Sequence, residues 1–425
     1  MTILLIIIFV FGYLMITLEH TLKVNKAATA LLTGALCWTI YSLFTADPEH
    51  VNGKLAHHLS DISGILFFLL GAMAIVELID AHEGFDIITT RIQSTRKVPL
   101  LWIVSLLAFF LSAVLDNLTT TIVMVSLLRK LIKSDHDRML YTGVVVIAAN
   151  AGGAWSPIGD VTTTMLWIGG QITAQNIVIK LILPSLTTLL VPLLVLSFKL
   201  KGHVERPLES FERRSDLTAV QQSIVFFAGM LILVLVPVFK TLTHLPPYMG
   251  VLFGLGILWL LTEILHGGKD EEDKHVLSVV YALRKIDTPS VLFFFGILAS
   301  IAALESAGML KELANWMTEK IGNQNLIGLT FGLLSAIIDN VPLVAATQGM
   351  YSLETYPTDH YFWELLAYCT GTGGSTLIIG TAAGVAAMGM EKIGFFAYLK
   401  RISFLALIGY LAGAGVYILQ HQLIS

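Results

Sequence analysis

The chain alternates long apolar runs with short polar connections. A bilayer core is crossed by about 20 apolar residues in a helix, and eight runs reach or approach that length: 2–17, 27–44, 62–79, 177–198, 222–239, 247–265, 289–304 and 402–419. No basic residue precedes the first run and no small-residue cleavage site follows it. We therefore interpret it as a retained helix and not as a signal peptide.

Two further apolar stretches hold an Asp-Asn pair at their centre. Residues 112–123 read SAVLDNLTTTIV and residues 335–346 read SAIIDNVPLVAA, with Ser, Ala, Asp and Asn in the same four slots 223 positions apart. The flanking segments repeat as well, since residues 65–85 resemble 291–310. GGAWSPIGD at 152–160 likewise matches GGSTLIIGT at 373–381. Three matched blocks in the same order indicate an internal repeat.

The basic residues predict how the chain lies in the membrane. Of 26 Lys and Arg, 21 lie in six loops, which the positive-inside rule places in the cytoplasm: 18–26, 83–98, 129–139, 199–216, 267–288 and 391–401. This arrangement requires 99–128 and 324–353 to enter and leave the membrane on one side. Each would be a re-entrant hairpin with arms of about 12 residues, or ~18 Å, so that the tips at Asp116 and Asp339 meet near the midplane.

These patterns predict an all-α polytopic membrane protein. We expect an inverted-repeat secondary transporter with ten spans, two re-entrant hairpins and two broken helices, and with both termini outside. A hydrophobic fraction of 55%, a charged fraction of 13% and a mean hydropathy of +0.78 exclude a soluble globular protein. The expected domains are N-terminal scaffold helices (1–60), a first repeat (61–199), linkers with two spans (200–288) and a second repeat (289–422).

The two broken helices are predicted at 140–168 and 361–390. Both carry paired Gly at mid-depth, and the first also carries Pro157. Irregular backbone at that depth is tolerated where it lines a cavity or is buried in protein, although a packing kink is the alternative. The polar neighbours favour a binding site: Asn150, Ser156, Asp160, Thr162, Thr163, Thr370, Thr372, Ser375, Thr376 and Thr381.

Three acidic residues are predicted inside the membrane. An intramembrane Asp costs at least ~2.5 kcal/mol, so Asp116, Asp160 and Asp339 are candidate functional residues; a purely structural Asp held by Asn and Thr donors is the alternative. With no Lys or Arg expected near the tips, their oxygens suit a small hard cation, although helix N-termini can also hold anions.

The two copies differ in their acids. Thr381 replaces Asp160 in the second copy, so we expect Na⁺ at Asp116 and Asp160, and we expect Asp339 to face the hydroxyls of Ser375, Thr376 and Thr381. Two close carboxylates in a dehydrated cavity do not both stay ionised without a cation. A proton and a metal ion would therefore compete there, which is sufficient for antiport.

Three further titratable residues lie near span ends. Glu77 lies deeper than its acidic neighbours and is a candidate for proton access, with Glu305 as its rough counterpart in the second copy. A solvated acidic rim is the alternative. His82 could sense pH, but a solvent-exposed His is the favoured interpretation.

The motifs LDNLTTT (115–121), AANAGGAWSPIGDVTTTMLW (148–167) and IIDNVPLVAA (337–346) together resemble the NhaD-type sodium/proton antiporters of the ion transporter superfamily. The resemblance implies efflux of Na⁺ or Li⁺ in exchange for protons, in a bacterial inner membrane or a chloroplast envelope. It also implies a homodimer in which scaffold helices hold a mobile transport unit. No cofactor, nucleic-acid partner or enzymatic activity is expected. The positions that match the family's cation and proton residues are Asp116, Asn117, Thr119, Asn150, Ser156, Asp160, Thr162, Thr163, Asp339, Asn340, Ser375 and Thr376.

Two alternative functions stay open from the sequence. The first is another transporter of the same superfamily, either an arsenite exporter or a sodium-coupled symporter of an organic anion. The superfamily's dicarboxylate symporters carry Ser-Asn-Thr at the hairpin tips, whereas the tips here read Asp-Asn-Leu-Thr and Asp-Asn-Val-Pro. The second is an intramembrane aspartyl protease of the GxGD type, but the segment Pro157 to Asp160 lacks the first Gly.

Overall fold

A computed structural model of the protein describes residues 1–17, 19, 23–45, 47–89, 91–207, 217–267 and 277–424. Within these ranges the chain is helical apart from turns, loops and one isolated antiparallel bridge between Arg96 and His203. The basic loops 18–26, 83–98, 199–216 and 267–288 lie partly outside the described residues.

The N-terminal part consists of α1 (Thr2–Thr17), α2 (Lys26–Phe44) and α3 (Pro48–Ala81). Helix α2 runs parallel to a later helix, α13 (Thr288–Ser306), as two hydrogen bonds show. The Trp38 indole donates to the Ala299 carbonyl (2.9 Å), and further along both helices the Tyr41 hydroxyl donates to the Ser306 carbonyl (3.1 Å). Helix α3 turns back along α2, and a His58 ring nitrogen lies 3.1 Å from the Ser306 hydroxyl. The first helices of the two predicted copies, α3 and α13, therefore run in opposite directions, as inverted repeats require.

The first copy continues beyond α3 through a hairpin and a broken helix. The chain reverses at Asp116, between α5 and α6, and a non-helical segment (155–160) interrupts the crossing between α7 and α8. The elements in order are α4 (Asp86–Thr89), α5 (Lys97–Leu115), α6 (Asn117–Leu131), α7 (Asp135–Ala154), α8 (Val161–Ile168) and α9 (Ala174–Lys199).

The second copy follows α10 (Ala219–Thr243), α11 (Pro247–Leu265) and α12 (Val279–Lys285). It repeats the same order of long helix, hairpin and broken helix, with a 3₁₀ turn at Gly374–Thr376 beside the break and a π-helical turn at Leu399–Ser403. Its helices after α13 are α14 (Met309–Lys320), α15 (Gln324–Ser335), α16 (Asn340–Met350), α17 (Tyr361–Gly373), α18 (Ala382–Glu391), α19 (Phe395–Tyr398) and α20 (Phe404–Ile424).

Eight helices of the described chain are long and apolar enough to cross a membrane, and the protein is an integral membrane protein. The number of ten crossings stays a prediction. One expectation about the hairpins is wrong: α5 has 19 residues and could cross alone, because its apolar sequence continues without a break from Val98 to Leu115. The second hairpin has the expected short arms, with 12 residues in α15 and 11 in α16.

The paired glycines let each hairpin pack directly on the broken helix of its own copy. A Cβ on Gly152 would lie 2.1 Å from the Phe109 carbonyl oxygen, and a Cβ on Gly373 would lie 2.2 Å from that of Gly332. We call these two backbone-to-backbone contacts the glycine seams. A serine hydroxyl reinforces each seam by donating to a carbonyl of the broken helix, from Ser112 to Ala149 (2.5 Å) and from Ser335 to Thr370 (2.8 Å).

Candidate functional site

The centre of the site is Asp160, which precedes the first residue of α8 and is 1% exposed. Its Oδ1 accepts hydrogen bonds from the backbone N–H and the hydroxyl of Thr162, both at 2.9 Å. The Asn117 amide donates to its Oδ2 (2.8 Å), and the Asn340 amide lies 3.4 Å from both oxygens. The tips of both hairpins therefore meet at one buried carboxylate.

Asn150 connects the two broken helices. Its side-chain carbonyl accepts from Asn117 (3.0 Å), and its amide donates to the hydroxyls of Ser375 (2.9 Å) and Thr381 (3.1 Å). Asn150 is fully buried on α7, where the first copy faces the second. The predicted residues Asn117, Asn150, Asp160, Asn340 and Ser375 thus form one hydrogen-bonded network.

Asp116 lies beside this network. Its carboxylate caps α6, accepting from the Thr119 backbone N–H (2.8 Å) and hydroxyl (2.7 Å). Its φ of 110° lies in a region that residues other than glycine rarely adopt and that costs about 1–3 kcal/mol. Its neighbour Asn117 makes the hydrogen bond to Asp160, while Asp116 interacts with Asp160 through its charge.

Asp339 has different surroundings from those expected. Its carboxylate accepts from the Val341 backbone N–H (3.4 Å) and lies 3.9 Å from the Lys26 ammonium group. The hydroxyls of Ser375 and Thr381 bind Asn150 instead. The expectation that no basic residue approaches the tips is therefore wrong at Asp339. The sequence placed Lys26 in a loop, whereas the parallel packing of α2 on α13 brings it to the depth of the second tip.

The other predicted hydroxyl residues divide into two groups. The Ser156 hydroxyl donates to the Ala113 carbonyl (2.5 Å) and the Thr163 hydroxyl to the Asp160 carbonyl (2.9 Å), so both satisfy backbone groups. The Thr376 hydroxyl is buried and has no hydrogen-bond partner within the described parts of the chain, and the same holds for Thr120 and Thr121 of α6, which were not predicted as site residues. Their oxygens are available to a ligand.

A cavity of about 270 Å³ lies between the end of α3, the second arm α6 and the start of α13. Thr119, which holds Asp116, and Glu77 both line it. Charged residues line the remainder: Asp80, Asp86, Lys130, Lys285 and Asp287. In the second copy the Glu305 carboxylate packs beside Gly349 of α16. The two glutamates thus lie beside the second arms of the two hairpins.

Two other buried polar features were missed by the sequence analysis. Glu364 of α17 is 3% exposed and accepts from the Tyr417 hydroxyl (2.5 Å) and the Asn176 amide; an acid within YFWELLAYC was the available signal. The interpretation of His82 as solvent-exposed is wrong. Its ring is buried, with Nδ1 2.7 Å from the Leu78 carbonyl and Nε2 2.9 Å from Nε2 of His266.

The site offers oxygen ligands of mixed type. No group of three or more His, Cys, Asp or Glu residues that could hold a metal occurs in the part of the chain that the structure describes. Carboxylate, amide and hydroxyl oxygens are the ligands that hard cations prefer. Inverted copies, two broken helices and a buried carboxylate shared by both hairpin tips define a secondary active transporter.

Comparisons with known proteins place the chain among transporters. Residues 3–371 match the family model described as "Citrate transporter". Sodium/proton antiporter 2 of Arabidopsis thaliana is 49% identical over 98% of this chain and 99% of its own length. Sodium/proton antiporter 1 of the same plant is 50% identical over 98% of this chain and 72% of its own length. The Na⁺/H⁺ antiporter NhaD of Alkalimonas amylolytica is 31% identical over 97% of this chain and 89% of its own length.

The chain belongs to the NhaD family of sodium/proton antiporters and also matches the family model for citrate transporters. A solved structure supports the fold: the YdaH transporter of Alcanivorax borkumensis superposes with a TM-score of 0.58, at 12% identity, over 92% of this chain and 95% of its own. The predicted all-helical transporter fold is thereby confirmed, and the protein is not an enzyme.

Proposed function

We propose that this chain exchanges cytoplasmic Na⁺ or Li⁺ for external protons at Asp160, with Asp116 as a second carboxylate of the same site. The observation that carries the proposal is the convergence of neutral ligands from both copies on one buried acid. Within the described residues no Lys or Arg lies within 4.0 Å of Asp160. The positive partner of this carboxylate is therefore supplied by the transported ion.

The exchange follows from the charge of the buried carboxylate. An ionised acid that is 1% exposed is unfavourable unless a cation or a proton compensates it. Asp160 therefore holds one or the other, and loading sodium displaces a proton. Asp116, the Asn150 carbonyl oxygen and the spare hydroxyl of Thr376 supply further oxygens suited to Na⁺. The strained backbone of Asp116 keeps its carboxylate at the tip.

The cavity at α6 is the proposed route from the cytoplasm. Lys130 and Lys285 line it and belong to loops that the positive-inside rule assigns to that side. Glu77 lines the cavity that Thr119 also lines, so we assign it to proton or cation access. Glu305 has the matching role on the external side.

The names of the relatives agree with this proposal. Proteins from Arabidopsis and from bacteria that cover nearly all of this chain are named sodium/proton antiporters. The citrate-transporter description of the family model suggests a carboxylate substrate as the competing function. A tricarboxylate requires basic partners, whereas Asp160 presents a negative charge and Lys26 is already paired with Asp339.

Location and assembly complete the proposal. We place the protein in a bacterial inner membrane with both termini outside, although the plant relatives make a chloroplast envelope the alternative. We also propose a homodimer with the antiporter site complete within each chain. Native mass spectrometry of protein in lipid nanodiscs would test this assembly, and a single-chain mass would overturn it.

The exchange itself is tested with purified protein in liposomes that contain a pH-sensitive dye. After an outward Na⁺ or Li⁺ gradient is imposed, the lumen should acidify, and citrate, succinate or arsenite should leave the signal unchanged. Concentrative uptake of any of these anions, without a sodium-driven pH change, would overturn the antiporter proposal.

A further inference from the structure

Lys26 stands at the second hairpin tip, at the start of α2. Its ammonium group lies 3.9 Å from the Asp339 carboxylate and 4.5 Å from the centre of the Phe293 ring. The two charged side chains are 21% and 18% exposed. The ion pair is therefore partly withdrawn from water, and the aromatic face adds a second favourable contact for the cation.

The position of Lys26 is fixed by tight helix packing. A Cβ on Gly34 would lie 2.7 Å from the Gly296 carbonyl oxygen, and a Cβ on Gly296 would lie 2.4 Å from the Ala30 backbone. The backbones of α2 and α13 are thus in direct contact, so α2 has little freedom to shift. The Asn25 side chain caps the helix by accepting from the Ala27 N–H (2.8 Å), which fixes where the helix begins.

Two other polar groups lie at this place. The Glu19 carboxylate accepts from the Lys26 backbone N–H (3.3 Å), so it binds the start of the helix. The Tyr13 hydroxyl is buried beside Asp339. The carboxylate of Asp339 thus has two partners, the Lys26 ammonium group and the Val341 N–H, and its charge is compensated without a bound metal ion.

The first tip has no such cation. Asp116 and Asp160 are held by threonine and asparagine donors, and no basic side chain lies within ion-pair distance of either among the described residues. The two tips thus share an Asp-Asn motif but differ in charge, because Lys26 belongs to the N-terminal helices, which precede the first copy. The amine of Lys26 is covalently attached and cannot be transported.

We propose that Lys26 is a resident counter-ion: its ammonium group takes, at the second tip, the place that a transported cation takes at the first. The inference rests on the proposed cation exchange and deepens it, because it leaves a single cation site, centred on Asp160. Lys26 acts through Asp339 and is a positioning residue. Without it, the Asp339 carboxylate would need an ion from solution before the tip could close on Asp160.

The test is a double-mutant cycle in liposomes, with K26Q, D339N and K26Q/D339N. Wild-type exchange should depend hyperbolically on sodium concentration. K26Q should show a sigmoidal dependence on sodium concentration, because a second Na⁺ must now neutralise Asp339. Its rate at low sodium should fall roughly tenfold, a loss between those expected for exposed and for buried ion pairs. In the D339N background the same change should leave the sodium dependence hyperbolic, since no carboxylate remains at this tip to bind a second Na⁺.

A purely packing role for Lys26 gives a different result. If the side chain of Lys26 only packs against Phe293, K26Q would lower the exchange rate equally in both backgrounds and keep the sodium dependence hyperbolic. This outcome would overturn the proposal, and so would a K26Q protein that behaves like the wild type. The matched control is K54Q, since Lys54 donates to the Tyr41 hydroxyl and the Ser306 carbonyl (both 3.1 Å) away from Asp339. K54Q should show no coupling to D339N.

Failure of the exchange activity itself can be told apart from failure of this inference. Wild-type protein without sodium-driven exchange would remove the proposed function, and the pair is then judged from melting temperatures of the purified variants. K26Q should lower the melting temperature more in the wild-type background than in the D339N background, where Lys26 has no acid to pair with. Equal losses in both backgrounds would overturn the ion pair.

Discussion

At the scale of single residues, Asp160 differs from the other membrane acids because both copies contact it. Asn117 and Asn340 approach from the two tips, while Thr162 fixes one of its oxygens from its own helix. Asp116 and Asp339 are near enough to Asp160 for their charges to act on it. Exchange should therefore depend most strongly on Asp160.

We expect Asp160→Asn to abolish sodium-driven proton movement, with rates at least ~100-fold below wild type. The amide keeps the size of the side chain and an oxygen for the Thr162 donors, so folding should survive while the titrating group is lost. The measurement is dye-monitored exchange at equal amounts of purified protein. The control is Asp61→Asn, which changes an exposed acid beside His57 and should be fully active. An Asp160→Asn protein that still exchanges sodium for protons would exclude Asp160 as the exchange site.

Asp116 and Asp339, the acids at the two hairpin tips, should differ in how strongly exchange depends on them. Asp116→Asn should also stop exchange, because it removes the second carboxylate of the cation site. Asp339→Asn should retain turnover with a weaker apparent affinity for sodium, since Asp339 is paired with Lys26 and contributes mainly to the shape of the tip. Initial rates against sodium concentration separate the two variants. The reverse ranking would centre the site on the second copy.

At the scale of elements, the glycine seams set how closely each hairpin approaches its broken helix. The repeated GG, five residues, G pattern predicted the break in each helix, and the Asp-Asn pairs predicted the hairpin tips. The length of α5 was underestimated, since the helix extends over the whole apolar segment from Val98 to Leu115 instead of about 12 residues.

The glycine seams predict that alanine substitutions at different glycines differ strongly in their effect on stability. Gly152→Ala or Gly373→Ala would force a methyl group to within about 2 Å of a carbonyl oxygen, and we expect destabilisation near the upper end of the overpacking range, about 3 kcal/mol. Melting of the purified protein in detergent measures this. Gly389→Ala is the matched control, because nothing lies within 4 Å of its added Cβ and a helical alanine is favourable; equal melting of all three would contradict the seams.

The candidate site was predictable in its members but not in its connections. A polar side chain in an apolar run is unusual enough to identify Asp116, Asn117, Asn150 and Asp160 from the chain alone. Which residue hydrogen-bonds Asp160 is a matter of tertiary geometry, and the Asn of each motif takes that place. Lys26 could not be found from sequence, because a lysine at the end of a polar connection has the same pattern whether it faces water or a hairpin tip.

At the scale of the whole molecule, the inverted order of helices fixes which loops share a side of the membrane. The opposite directions of α3 and α13 follow from the contacts of α2 with α13, and the two basic loops next to α5 and α12 then fall on the side of the cavity. The predicted positions of the termini depend on this orientation.

Single-cysteine labelling tests the orientation in a chain with Cys37 and Cys369, both buried, replaced by alanine. Lys201→Cys and Ser126→Cys, the latter in the cavity wall, should react with an impermeant maleimide from the cytoplasmic side, and Glu354→Cys from the external side. Sodium should slow the reaction at Ser126→Cys and leave Lys201→Cys unchanged. Reaction of Lys201→Cys and Glu354→Cys from one side would rule out the inverted topology.

The glycine seams also have a mechanical consequence. Inside each copy, backbone presses on backbone, and such a joint is stiff. Two contacts of the copies with the helices outside them are made by the ends of long lysine side chains: Lys26 of α2 to Asp339 (3.9 Å) and Lys240 of α10 to the Trp167 carbonyl (2.8 Å). Each of these polar contacts is worth only about 0.5–1.5 kcal/mol and has several rotatable bonds. Under load each hairpin would thus shift together with the broken helix of its own copy, whereas the two lysine contacts would deform.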